Sequence, residues 1–195
     1  MGMEDYAIIL DYLSLGKIED ERPIYKKEPV AFGLGEKFLT LIELIPRQGV
    51  TLDLHERVYI GKDERDKVAY IKRRTTYDAL SATARSELPY VVTEIVEQTE
   101  TRYVNFFNEA QPLTTRLHQL ELLPGIGKKL MWEIIEERKK KPFKSFKDIS
   151  QRVKSLYDPK KIIVKRIATE LEEEGTRLGK GKYKLFVAPF PRRGT

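Results

Sequence analysis

The stretch Leu123-Pro124-Gly125-Ile126-Gly127-Lys128-Lys129 combines residue types and spacing that point directly to a chemistry. Its two glycines admit backbone angles closed to other residues, while Ile126 between them has only apolar packing to offer. A tight turn pinned from below by Ile126 leaves the amides of Gly125, Gly127 and Lys128 pointing outward at the start of a helix. There the orphan donors and the helix dipole favour an anion, with phosphate the natural ligand. A nucleoside triphosphate does not fit. Its binding loop needs a glycine five residues before the Gly-Lys pair and Ser or Thr after it, and here those positions are Leu122 and Lys129.

The charge is distributed to match. Of a net +6, Pro124 to Arg166 holds 14 Lys or Arg against 5 Asp or Glu, so the remainder of the chain is slightly acidic. Gly125, Ile126, Gly127, Lys128 and Lys129 form the expected grip, and Lys140, Lys141, Lys144, Lys160 and Lys161 are expected to add positive field around it. Part of the Arg138-Lys139-Lys140-Lys141 run also suits the negative end of a helix dipole.

Other chemistries find little support. The chain has no cysteine and only His55 and His118, so any metal would have to be held by oxygen. Glu133, Glu136 and Glu137 share a helical face with Arg and Lys and read as ordinary ion pairs rather than a nuclease centre. No nucleophile has an evident base: His118 reads as part of an amphipathic helix and His55 as part of a strand beside Glu56. Trp132 lies about a third of a turn off the apolar stripe and reads as sealing a domain interface, with stacking on a base as the alternative. A non-catalytic binder without a cofactor is the expectation.

The elements that must position these residues define an α+β chain. Strands are expected at 4–13, 38–45, 50–61 and 67–74, as a meander of about four or five strands. Gly33-Leu34-Gly35 reads as a turn or bulge, lacking the third glycine and following helix of a dinucleotide site. Asp78 is expected to cap a helix starting at Ala79. Pro112 should open another carrying Leu113, Leu117 and Leu120, and the helix after Gly127 buries Leu130, Met131, Ile134 and Ile135. Ser145 and Asp148 have capping-box spacing, Asp158-Pro159 starts a further helix, and 183–190 reads as a strand after the sequence GKGK. The expected division is a β domain over 1–77, a helical linker over 78–110, a helical module over 111–175 and a C-terminal strand and tail over 176–195.

Glu4 and Asp5 stand where a secretory signal would carry positive charge, and no apolar run approaches the roughly 20 residues that span a bilayer. A cytoplasmic protein without membrane contact is expected.

LPGIGKK, followed by KPFKSFKDISQRV, resembles the tandem helix-hairpin-helix module of DNA and RNA metabolism over about Pro112 to Leu171. In such families the hairpin contacts backbone phosphate without reading bases, in some members with a monovalent cation, and the resemblance implies that role for Gly125, Gly127 and Lys128. The second turn, Lys154-Ser155-Leu156-Tyr157-Asp158-Pro159, departs from the Gly-x-Gly pattern. Over its length the chain, in stretches such as ERVYIGK, RTTYDALSATARSELP and VNFFNEAQPLTTRLHQLELLPGIGKK, resembles an archaeal family known as domain of unknown function 655. That resemblance implies an OB-like fold joined to a helix-hairpin-helix module. The expected partner is RNA or DNA bound without sequence preference, with no assignment to ribosomal or repair machinery. A scaffold docking an acidic protein is the alternative. A DNA-repair glycosylase, with Lys129 and Asp148 as its lysine and aspartate, or a nuclease is a weaker one, because SFKDIS departs from the glycosylase pattern and Asp148 already has a capping role.

Overall fold

Five strands form one antiparallel sheet: β1 (Tyr6–Leu13), β2 (Val30–Gly35), β3 (Leu41–Pro46), β4 (Arg57–Tyr59) and β5 (Val68–Arg74), in the order β4-β1-β2-β3-β5. Five helices follow: α1 (Ala82–Gln98), α2 (Glu100–Glu109), α3 (Lys128–Lys140), α4 (Phe146–Arg152) and α5 (Pro159–Glu172). This computed structural model describes residues 3–17, 21–23, 26–173 and 183–189. The chain divides into two units, one from Met1–Val91 with Glu170–Thr195 and the other from Val92–Thr169.

In the first unit the sheet curls into a half-barrel. Its central strands are buried on both faces, which is why β1 and β3 read as apolar runs rather than as clean alternation. Ala7, Ile9, Ala31, Ile42, Leu44, Val58 and Val68 fill one side of the core together with Leu52 and Ile60. Gly33-Leu34-Gly35, expected as a turn or bulge, lies within strand β2 rather than in a turn, and the β1–β2 register shifts between Ile9 and Asp11, beside Gly33. Gly35 pairs with Ala7, and a Cβ there would strike the side chain of Glu4. Glu4 holds that space because its carboxylate accepts the amides of Lys37 (2.8 Å) and Phe38 (2.9 Å) and the hydroxyl of Thr40 (2.9 Å).

Residues 50–56, expected within a strand, instead form a turn. Asp53 donates its amide to the Glu56 carboxylate at 3.0 Å, and His55 adopts φ 61°, so only Arg57–Tyr59 pair as β4. Asp78 lies in a 3-10 turn at Tyr77–Ala79. The helix start moves to Ala82 because the Ser81 hydroxyl accepts the Ala84 amide at 3.0 Å and donates to Asp11 of β1 at 2.6 Å. Segment 183–189 is irregular rather than a strand. It returns to the sheet unit through the Ala188 amide on the Phe38 carbonyl (3.0 Å), and buried Glu170 accepts the amides of Leu185, Phe186 and Val187 at 2.8–3.0 Å. One carboxylate thus takes the donors a ladder would have used. Phe190 and the GKGK sequence lie outside the described residues.

In the second unit, the helix expected from Pro112 does not form. The Thr114 hydroxyl accepts the amides of Arg116 (3.2 Å) and Leu117 (3.1 Å), while the amides of Leu113 and Thr114 both go to the Leu117 carbonyl. These local bonds outcompete a helical ladder. Only a 3-10 turn, Gln119–Leu122, precedes Pro124. The C-terminal helices match expectation: the Ser145 hydroxyl accepts the Asp148 amide at 3.0 Å, and the Asp158 carboxylate accepts the Lys161 amide at 2.9 Å. No helix among the described residues is long and apolar enough to cross a membrane.

Candidate nucleic-acid interface

Two turns of the second unit share one construction. Ile126 donates its amide to the Leu123 carbonyl at 3.1 Å, and Leu156 donates its amide to the Val153 carbonyl at 2.9 Å. All four side chains are buried, so each turn is pinned by an apolar pair three residues apart. After each turn a helix begins, α3 at Lys128 and α5 at Pro159.

The first turn requires its first glycine, since Gly125 has φ +83° and sits in the left-handed region. Gly127 differs. Its φ is −89°, open to any residue, and a Cβ on it would meet nothing within 4 Å. The absent side chain therefore leaves space on the outside of the protein rather than within it. As the N-cap of α3, Gly127 accepts the Met131 amide at 2.9 Å. The amides of Gly125, Gly127, Lys128, Lys129 and Leu130 have no acceptor among the described residues. They form a cluster of outward donors at the positive end of a 13-residue helix.

Pro124, Gly125 and Leu130 line a cleft of about 350 Å³ whose other wall is the second turn, with Leu156, Tyr157 and Lys161. Lys165 borders the same cleft one helical turn further along α5. The structure thus brings together Gly125, Ile126, Gly127, Lys128, Lys129 and Lys161 of the expected residues. Lys160 adjoins Lys161 on α5 but does not line this cleft. Lys140 lies twelve residues beyond Lys128, about 18 Å along the axis, and Lys141 and Lys144 lie past it.

Ion pairing separates the lysines further. Lys140 is paired with Glu137 at 2.5 Å and Lys160 with Glu97 at 2.7 Å, whereas Lys128, Lys129, Lys141, Lys144, Lys161 and Lys165 have no carboxylate partner among the described residues. The basic run at the end of α3 is largely structural. Lys139 pairs with Glu136 at 2.7 Å, and the Arg138 guanidinium turns inward to the carbonyls of Phe107 (3.0 Å) and Ala110 (2.9 Å). Burial lowers the pKa of Arg138 from its ordinary value.

Two aromatic residues stand out. Trp132, expected to seal an interface, is 56% exposed, and Tyr157 at the second turn is 88% exposed. Tyr157 is absent from the sequence-derived site, although an aromatic beside Asp-Pro at a turn is the signal that would have flagged it. His118 is not on a helix. It caps the 3-10 turn, its Nδ1 accepting the Leu120 amide at 3.1 Å while the Glu121 carboxylate accepts the His118 amide at 2.8 Å. Burial, and secondarily the nearby Arg138 charge, lower the pKa of His118, and the Glu121 charge opposes them. His55 pairs with Glu87 at 2.8 Å in the sheet unit. Among the described residues no three His, Asp or Glu side chains converge as a metal cage.

The chain belongs to the family described as protein of unknown function DUF655, whose profile matches residues 3–188. It is 50% identical over 184 residues to the uncharacterized protein MJ0038 of Methanocaldococcus jannaschii, covering 94% of this chain and 80% of that protein. The crystal structure of Af1531 from Archaeoglobus fulgidus, also of DUF655, matches with a TM-score of 0.85 at 52% identity, over 95% of this chain and 100% of that one. The resemblance carried by stretches such as ERVYIGK is therefore a family relationship.

Proposed function

We propose that this protein is a non-catalytic nucleic-acid binder that grips a backbone phosphate of RNA or DNA at Gly125–Lys128. The observation that carries this is the cluster of amides without an acceptor among the described residues, on an open turn facing a cleft that Lys161 and Lys165 border without carboxylate partners among those residues. Backbone donors aimed at one phosphate, with cations tracking its neighbours, give affinity without base preference.

The shared construction of the two turns supports a tandem helix-hairpin-helix module, with the 3-10 turn and α3 as one hairpin and α4 and α5 as the other. In that module the second turn lacks Gly-x-Gly and contributes through Tyr157 and Lys161 rather than through free amides. The curled five-stranded antiparallel sheet supports an OB-like first unit, a fold that offers a surface to single strands.

The test is fluorescence anisotropy of the full chain with labelled RNA, single-stranded DNA and duplex DNA at low salt. Binding that unrelated nucleic acid displaces, and that falls steeply as salt rises, is the expected result. Failure of all three to bind would exclude the function and leave a scaffold for an acidic protein as the better account of the basic region.

A further inference from the structure

A second cleft, of about 300 Å³, borders the same turn: Lys128 and Trp132 line it from α3, and Pro112, Arg116, His118 and Glu121 line it from the segment before the turn. Its size is at the lower bound of small-molecule pockets, about 300–1,000 Å³. The phosphate grip uses only Lys128 of these residues, so the others need a separate account.

His118 is the most informative of them. It is 6% exposed, and because its Nδ1 accepts the Leu120 amide the proton must sit on Nε2. His118 lines the cleft, and its Nε2 has no hydrogen-bond acceptor among the described residues. That donor is available to a ligand that can accept from it. Opposite in sign, the Glu121 carboxylate disfavours a bare phosphate here but can accept from an amine. Trp132 presents an exposed indole on the same cleft, a face on which a flat ligand can stack. A flat ring with donor and acceptor atoms on its edge, tethered to a phosphate at Lys128, satisfies all of these groups.

We infer that this cleft receives one unstacked base of the strand whose phosphate the turn holds, the base lying on the Trp132 indole with its edge toward His118 Nε2 and the Glu121 carboxylate. The inference rests on the phosphate grip proposed above and narrows its ligand. Uniform duplex offers no such base, whereas a single strand or a bulged duplex does.

Trp132 is the chain's only tryptophan, so its emission reports this cleft alone. The full chain is titrated with a short single-stranded RNA, a blunt duplex of equal length, the same duplex carrying one bulged nucleotide, and a free mononucleotide. Saturable quenching is expected with the strand and the bulged duplex but not with the intact duplex. Trp132→Ala should lower the preference for bulged over blunt duplex about tenfold, and Trp132→Phe should keep most of it. Equal quenching by intact duplex, quenching by the mononucleotide at the same concentration, or an unchanged preference in Trp132→Ala would overturn the base cleft. Binding without any quenching would also overturn the cleft while leaving the phosphate grip standing. Absence of binding by every nucleic acid would remove the grip and the cleft together.

Discussion

The amide of Ile126 reaches back to the carbonyl of Leu123 at 3.1 Å, closing a turn whose third residue, Gly125, is left-handed at φ +83°. Gly125→Ala keeps the open space around the site but places a Cβ in a conformation that costs about 1–2 kcal/mol. Urea unfolding should show that loss, and the variant should bind oligonucleotide more weakly because the outward amides lose their fixed aim. A variant as stable as the parent would mean that the turn relaxes without penalty.

Gly127 separates stability from binding. Gly127→Thr is compatible with φ −89°, and threonine caps a helix about as well as glycine, so stability should move by less than about 0.5 kcal/mol. Its side chain would occupy the outward space and offer its own oxygen to the helix amides. We expect affinity for RNA and DNA to fall at least about fivefold across all sequences, because phosphate contacts position without specifying. A loss confined to one sequence in parallel anisotropy titrations would contradict this.

Lys160 and Lys161 are neighbours with opposite circumstances, the first paired with Glu97 at 2.7 Å and the second without a carboxylate partner among the described residues and bordering the two-turn cleft. Lys161→Gln should weaken binding and reduce the slope of log affinity against log salt by about one. Lys160→Gln should change that slope much less. Equal slopes for the two variants would show that the local ion pair does not govern which lysine meets the polyanion.

Glu43 of β3 is fully buried and accepts from Lys17 (2.6 Å) and Arg73 (2.9 Å). Burial pushes its carboxyl up, but the bonds and charges of Arg73 and Lys17 outweigh that and hold it below the ordinary value. A lowered folded pKa stabilises the fold fully above the unfolded value, about pH 4.3, and that contribution is lost as pH falls through the folded value. Glu43→Gln should therefore cost about 1–2 kcal/mol at pH 7, with partial exposure of Arg73 limiting the effect. The gap between parent and variant should shrink as pH is lowered below about 4 in urea melts. A gap independent of pH would contradict the assignment.

What the sequence made legible was mostly local. The turn around Gly125, the Ser145 cap and the Asp158-Pro159 helix start depend on residues within a few positions of one another, and each forms as expected. The elements it hid depend on distant partners. Gly33 and Gly35 look like turn residues until Ala7 and Glu4 are seen to occupy the space beside them. Ser81 displaces Asp78 as helix cap because Asp11, seventy residues away, fixes its hydroxyl. Periodicity placed Trp132 off the apolar stripe but carried no information on whether another element covers it. The lysines illustrate the same limit: their number was plain, but which of them Glu97, Glu136 and Glu137 engage was not.

At one margin of the sheet, β5 turns Tyr70, Lys72 and Arg73 to solvent, and at the other β4 is only three residues long. An open sheet margin is a template onto which a second copy can crystallise strand by strand, and misfolded fibres grow in that way. Here one margin repels its own likeness and the other is too short to guide it. The sheet can remain unclosed in a crowded cell without inviting the polymerisation that an uncharged, longer margin would seed.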